Sequence, residues 1–176
     1  MKYPLLTLAL IGVAFSPVLA AGARIGGQDA PACTDGDGPA IQATITGLKD
    51  RTGRLKLELY PATQEDFLKD DNKLIAEGKT FHRIWATPPQ SGPVAICIKV
   101  PKPGEYALFF THDRDGKNKF NFWRDGGGVP SNVRIGAGRP KLATATIMVG
   151  AGVTLTTIKA QYLRGLSGLA PLKAGE

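Results

Sequence analysis

The chain has 176 residues, 43% of them hydrophobic, which is enough to build one domain around a buried core. Its formal net charge of +7 favours anionic partners, although scattered basic residues are also typical of a basic secreted protein that is simply soluble. Its only two cysteines exclude a structural zinc site built on cysteine, because such a site needs four closely spaced ligands.

The first residues have the pattern of a secretion signal. Lys2 precedes an apolar run, residues 5–15, that is too short to span a bilayer, and Val18-Leu19-Ala20 has the small-residue pattern of a cleavage site. We therefore expect residues 1–20 to be a signal peptide and the protein to be periplasmic or secreted. Residues 21–38, rich in Gly, Ala and Asp, are expected to form an extended leader without regular structure.

Alternating apolar and polar residues predict strands at 41–46 and 54–60, which we expect to pair as a hairpin. Thr63 and Asp66 have the pattern of a helix N-cap and an acidic first turn, so residues 63–69 are expected to form a short helix.

Further strands are predicted at 79–86, 94–100 and 105–111, and the segments 142–149 and 153–163 are expected to form a last hairpin. Residues 165–176 are expected to be a flexible tail. About seven short strands with at most one short helix predict an all-β fold, an antiparallel β-sandwich over residues 39–164.

Cysteine pairing is a further expectation. In the strand at 94–100, Cys97 lies on the face opposite Val94, Ile96 and Ile98, so it is expected to point away from that apolar layer. Since the compartment is oxidising, we expect a disulfide between Cys33 and Cys97 that holds the leader across this strand. The alternative is a free buried Cys97 and a free exposed Cys33.

The segments GEYALFFTHDRDGKNKFN (104–121) and GGGVPSN (126–132) resemble the signature of the bacterial exported domain-of-unknown-function family 2141. The matching residues are Gly104, Tyr106, Ala107, His112, Asp113, Lys119, Gly128, Pro130, Ser131 and Asn132. The resemblance covers most of residues 40–163 and implies a transthyretin/immunoglobulin-like β-sandwich, similar also to carboxypeptidase-regulatory domains, with no assigned activity. The chain departs from the family pattern at Lys117, where Asn or Asp is usual, and at Asn121, where Asp is usual.

A buried strand that opens into a dense polar loop is a common place for a binding site. We therefore interpret the chain as a non-catalytic binding or interaction module, whose partner is an anionic glycan, a cell-envelope component or a protein. The ligand-binding candidates lie in and after this loop: His112, Asp113, Asp115, Asn118, Asn121, Arg124, Asn132 and Arg134.

Calcium is the candidate cofactor for this loop, with Asp113, Asp115 and Asn121 as alternating oxygen ligands. Lys117 occupies the next ligand position, and Arg124 stands at the twelfth position, where a bidentate Glu would be wanted. These two cations favour a simpler interpretation, a turn held by side-chain to backbone hydrogen bonds. The sequence therefore predicts no cofactor, with calcium as the alternative left open.

The alternative function is a hydrolase-like or metal-dependent enzyme that uses His112, His82 and Asp113. Adjacent strand residues point to opposite faces, so His112 and Asp113 do not form a dyad by default. His112 shares its face with Leu108 and Phe110, which is typical of a structural histidine. We therefore expect no catalysis.

Two further features of the sequence have open interpretations. The glycines at 126–128, with the arginines that surround them, could hold an anion or belong to a long surface loop. Phe120, Phe122 and Trp123 could recognise a ligand or could close one end of the sandwich.

Overall fold

A computed structural model describes residues 24–173, so the predicted signal peptide lies outside the described residues. The strands within this range are β1 (Arg24–Gly26), β2 (Ala40–Thr46), β3 (Arg54–Pro61), β4 (His82–Ala86), β5 (Val94–Lys99), β6 (Gly104–Asp113), β7 (Gly126–Gly128), β8 (Thr146–Val149), β9 (Val153–Lys159), β10 (Gln161–Leu163) and β11 (Leu169–Pro171). The helices are α1 (Ala30–Thr34), α2 (Asp71–Ala76) and α3 (Leu142–Ala145), with a 3-10 turn at Gly165–Ser167.

These strands form two facing sheets, and the predicted all-β sandwich is confirmed. The smaller sheet has the order β1-β5-β2-β9. The larger sheet has the order β11-β10-β7-β6-β3-β4, with β8 pairing with the first part of β6 and β7 with its last part. Most pairs are antiparallel, but β1 with β5 and β2 with β9 are parallel.

The main core lies between the sheets and follows the alternation in the sequence. Leu55, Leu57 and Leu59 of β3 face Ile96 and Ile98 of β5 across the sandwich, and all five are fully buried. A second apolar cluster covers the outer face of the larger sheet, where Tyr60, Phe67, Leu74, Phe109 and Val129 pack under α2 and the 129–145 segment. A cavity opens at the edge of this outer cluster.

Both expected hairpins are wrong. β2 pairs with β5 and β9, whereas β3 pairs with β4 and β6, so the two strands lie in opposite sheets. In the same way β8 pairs with β6, whereas β9 pairs with β2. Alternation defines the buried face of a strand and not its partner, and in a sandwich consecutive strands can turn their apolar faces inward from opposite sheets.

The single expected helix is also placed wrongly, and the structure has three short helices in the range that it describes. The Thr63 side chain does accept a hydrogen bond from the Asp66 amide, as an N-cap would. The chain leaves the helical path at Leu68, which has a φ of 61°. The helix begins instead at Asp71, where the Asp70 side chain accepts from the Lys73 amide.

Regular structure extends beyond both expected boundaries of the sandwich. In the leader, β1 pairs with β5, and α1 packs over Cys97, where a disulfide joins Cys33 to Cys97 with 6.0 Å between the Cα atoms. The predicted disulfide is thus confirmed. In the expected tail, β11 pairs with β10, and its Leu169 is buried and also exchanges backbone hydrogen bonds with Gly136. No helix within residues 24–173 is long and apolar enough to cross a membrane.

Candidate functional site

His112 lies on the core face of β6, as its parity with Phe110 predicted, and it has no exposed surface. Its Nε2 is 2.8 Å from the Thr52 carbonyl oxygen, and its Nδ1 is 2.7 Å from the Tyr162 hydroxyl. A carbonyl can only accept, so Nε2 carries the proton and Nδ1 accepts from Tyr162. In this conformation His112 has both ring nitrogens bonded and no surface for a ligand to contact.

The surroundings of His112 favour its neutral form. Burial lowers the pKa of its imidazole, and this effect outweighs the opposing influence of the Thr52 carbonyl and Asp50. Burial also raises the pKa of Tyr162 to about 12, so the phenol keeps the proton that it donates to Nδ1. The Lys49 amide donates to the same phenol oxygen, which completes a chain of three hydrogen bonds.

The carboxylate nearest to His112 in this network is Asp50, which sequence reasoning did not single out. Its Oδ1 lies 3.8 Å from Nε2 of His112, and its Oδ2 accepts from the Arg114 guanidinium. Burial opposes ionisation, yet the hydrogen bonds from Arg114 and Thr52 hold the pKa of Asp50 well below its ordinary value. Asp50 is therefore an ionised partner of Arg114.

Asp113 is bonded away from His112. It is 2% exposed, and its Oδ2 accepts hydrogen bonds from Arg54 at 2.9 Å and from the backbone amide of Asn118 at 3.2 Å. The Asn118 backbone has a φ of 62°, a left-handed conformation that asparagine tolerates. The other oxygen of Asp113, Oδ1, is buried and has no hydrogen-bond partner among residues 24–173.

The rest of the polar loop, which runs over residues 113–125 from the end of β6 to the start of β7, is organised by carboxylates. Asp115 accepts from the Lys117 amide and from the Asn121 side-chain amide. Asp125, which is 1% exposed, accepts hydrogen bonds from two backbone amides, that of Arg114 through Oδ1 and that of Asn121 through Oδ2. The loop thus shows the side-chain to backbone hydrogen bonds that the simpler interpretation expected.

Asp125 is the residue of this loop that the sequence analysis missed. The linear calcium spacing pointed to Arg124 at the twelfth position, whereas the carboxylate comes one residue later. The signal available in the sequence was an acidic residue directly before three glycines. Arg124 itself is exposed, and its backbone carbonyl accepts from Arg114.

Two other candidates make contacts that hold the fold together. The side-chain amide of Asn132 forms two hydrogen bonds with the backbone of β9. Its nitrogen donates to the Thr157 carbonyl at 2.8 Å, and its oxygen accepts from the Lys159 backbone amide at 2.6 Å. It thereby pairs with the strand edge as a neighbouring strand would. Arg134 is exposed and donates to the Ser167 carbonyl, which lies in the 3-10 turn.

The glycines at 126–128 form β7 rather than a surface loop. They are buried and pair with β6, opposite Phe110, Thr111 and His112. A Cβ at Gly126 would overlap the Tyr162 ring. The absence of side chains here therefore lets the Tyr162 ring reach His112, and it leaves no open cradle for an anion.

His82 lies apart from His112. Its Nε2 is 2.7 Å from Oδ2 of Asp29, which also accepts from the Lys99 amide. This contact ties the segment between β1 and α1 to β4 and β5.

A cavity of about 350 Å³ opens beside the polar loop, at the edge of the outer apolar cluster. It is lined by Leu68, Phe109, Phe120, Phe122, Ile135, Ala137, Gly138, Arg139, Pro140 and Leu169, and is here called the aromatic cavity. Phe109 and Phe120 meet edge to face, with ring centroids 6.2 Å apart. Trp123 stands next to Phe122 and is 80% exposed. The aromatic cluster that the sequence singled out thus forms one wall of the cavity and presents Trp123 to solvent.

Comparison with known proteins gives a family and no activity. No curated protein and no solved structure matches the chain. The family model described as an uncharacterized protein conserved in bacteria, DUF2141, matches residues 43–157. This range spans β2 to β9 and includes the polar loop and β7. The chain belongs to the domain-of-unknown-function family 2141.

Proposed function

We propose that this chain is an exported, non-catalytic binding module that holds a cell-envelope ligand at the aromatic cavity. The observation that carries the proposal is the position of the cavity. Two of the aromatic side chains that line the cavity, Phe120 and Phe122, belong to the polar loop. The cavity volume of about 350 Å³ falls within the usual range for small-ligand sites. The disulfide supports export, because such bonds persist in oxidising compartments.

The chemistry of the cavity favours a ligand that joins an apolar group to a negative charge. The lining is mainly apolar, and Arg139 is the charged residue among its lining residues. The Arg139 guanidinium donates to the Leu68 carbonyl at 2.7 Å and is otherwise exposed, so it is positioned at the rim. A neighbouring cleft is lined by Lys117, Lys119 and Trp123, together with Asp115. An anionic glycan or lipid fragment with an apolar face would meet both kinds of surface.

The arrangement of the histidines supports binding rather than catalysis. His112 is enclosed between Tyr162 and Thr52, and His82 is bonded to Asp29 on a different part of the sandwich. Asp113 bonds Arg54 and Asn118 rather than either histidine. An enzyme that used these groups would need them to converge on one pocket.

The experiment fills the cavity without removing a core contact. Ala137→Trp adds an indole to an exposed residue of the lining, and Ala151→Trp adds the same group to the exposed turn between β8 and β9 as a control. The probe is 1-anilinonaphthalene-8-sulfonate, an aromatic anion, followed by fluorescence and by the NMR shifts of the Phe120 and Phe122 amides. We expect Ala137→Trp to abolish binding and Ala151→Trp to retain it. Equal binding by both variants, or shifts confined to other residues, would contradict the proposal.

A further inference from the structure

We propose that Asp113, Asp115 and Asp125 form a calcium site that joins the two ends of the polar loop. One carboxylate oxygen from each residue lies within 4.8 Å of the others. Asp113 ends β6 and Asp125 directly precedes β7, so an ion between them would fasten the loop to both strands.

The unpartnered oxygen of Asp113 is the observation that makes this more than an acidic cluster. Asp113 is only 2% exposed, and its Oδ2 accepts hydrogen bonds from Arg54 and from the backbone amide of Asn118. Its Oδ1 is buried without a hydrogen-bond partner within the described part of the chain. A buried carboxylate oxygen without a partner is costly, and in the proposed site it is the oxygen that Asp113 offers to the ion, which satisfies it.

The other two carboxylates keep room for a cation. Each oxygen of Asp115 and Asp125 accepts one hydrogen bond, from Lys117, Arg114 or Asn121. A carboxylate has about four lone-pair directions, so each oxygen keeps one that is unused. The donors also fix the orientation of the carboxylates, which is what the outer shell of a metal site does.

A second acidic cluster shows what neutralisation by lysine looks like in this protein. Glu65, Asp66 and Glu77 also lie within 4.8 Å of one another, but the ammonium groups of Lys69 and Lys79 contact them at 2.6–3.8 Å. At the proposed site, Arg54 forms an ion pair with Asp113. Asp115 and Asp125 have no ion pair within residues 24–173, so two of the three negative charges are not neutralised in this way.

The two cations that argued against calcium in the sequence do not occupy the site. Lys117 places its backbone amide against Asp115 and exposes its side chain, and Arg124 is exposed as well. Asp125 supplies the carboxylate that the linear spacing sought at Arg124. The ligands are all hard oxygens held on an irregular loop, which suits calcium better than a soft transition metal.

Calorimetric titration of EDTA-treated protein with calcium chloride tests the proposal. We expect one ion per chain with a dissociation constant of about 0.1–1 mM, the range of extracellular calcium modules. Asp115→Asn is the main variant because Asp115 is only partly buried, and it should weaken binding by about tenfold or more. Glu65→Gln removes a carboxylate from the lysine-neutralised cluster and should leave the affinity unchanged.

Protease protection gives a second measurement. Trypsin can cut after the exposed Lys117 and Lys119, and calcium should slow both cuts in the wild type but not in Asp115→Asn. Three results would overturn the proposal: no saturable binding up to about 10 mM calcium, ten times the weak limit above; wild-type affinity in Asp115→Asn; or equal weakening in Glu65→Gln. Tighter binding of magnesium than of calcium would overturn the choice of ion.

Discussion

The Tyr162 hydroxyl donates to Nδ1 of His112 over 2.7 Å and so joins β10 to β6 inside the sandwich. The contact depends on Gly126, whose missing side chain leaves space for the Tyr162 ring. The opposite nitrogen of His112 bonds Thr52, in the connection between β2 and β3. One buried histidine thus ties together three parts of the chain that are distant in sequence.

Replacing His112 by Ala should lower the free energy of unfolding by about 1–3 kcal/mol, because the Thr52 carbonyl and the Tyr162 hydroxyl lose their buried partner. Tyr162→Phe should cost about 1–2 kcal/mol for the same reason. Urea denaturation of both single variants and of the double variant measures the coupling between the two residues. If the double variant lost the full sum of the single losses, the two side chains would not be coupled.

The stability of the protein should fall as the pH is lowered from 7 to about 5, because burial depresses the pKa of His112 below 6.5. Between the two pKa values the unfolded chain binds a proton that the folded chain does not, so stability is present above 6.5 and is lost as the pH falls toward the folded value. Each unit of depression corresponds to about 1.4 kcal/mol.

His112→Gln should reduce this loss, whereas His82→Gln should retain most of it. The carboxylate Asp50 contributes only below this window, because its ordinary pKa of 3.8 is already lower. Free energies of unfolding at several pH values check the result. An equal pH dependence in the wild type and in His112→Gln would contradict the assignment.

Local patterns predicted the strands well, because successive side chains of a strand point to opposite faces whatever its partner is. In β3, β5 and β6 the alternate residues assigned to the core do lie there, as does His112, although the residues between them are buried as well. The pairing of β2 with β9 could not be predicted, since these strands are far apart in sequence and no residue pattern names the partner.

The candidate site was predicted in part. The loop, Asp113 and Asp115 follow from the sequence, but Asp125 joins them because the chain returns to β6 through β7. Glycine is unfavourable in strands, so three glycines predicted a loop there. Packing against the rings of Tyr162 and Phe109 decided otherwise.

Reducing the Cys33–Cys97 disulfide should lower the free energy of unfolding by up to about 4 kcal/mol, the chain-entropy value for a closed loop of this length. The loss should appear in urea denaturation with and without reductant. Reduction should also speed tryptic cleavage after Arg24, because β1 pairs with the edge of β5 and is followed by α1, which this bond fastens to β5. An unchanged midpoint of unfolding would show that the leader is held by its other contacts, such as Asp29 with His82.

Asn132 should act as a cap on the free edge of β9. Its amide makes two hydrogen bonds to that strand, and its φ of 58° lies in the left-handed region. Asn132→Gly tolerates this conformation and removes the two side-chain hydrogen bonds, so it should cost about 1–2 kcal/mol beyond the loss seen in a glycine control. Asn132→Ala should cost about 1 kcal/mol more, because an alanine is strained at this φ.

Asn118→Gly, at a φ of 62° on the exposed loop, is the matched control and should cost little. Hydrogen exchange at the Lys159 amide should accelerate in both Asn132 variants and not in the control. If Lys159 stayed protected in Asn132→Gly, the edge of β9 would owe its order to its pairing with β2 alone.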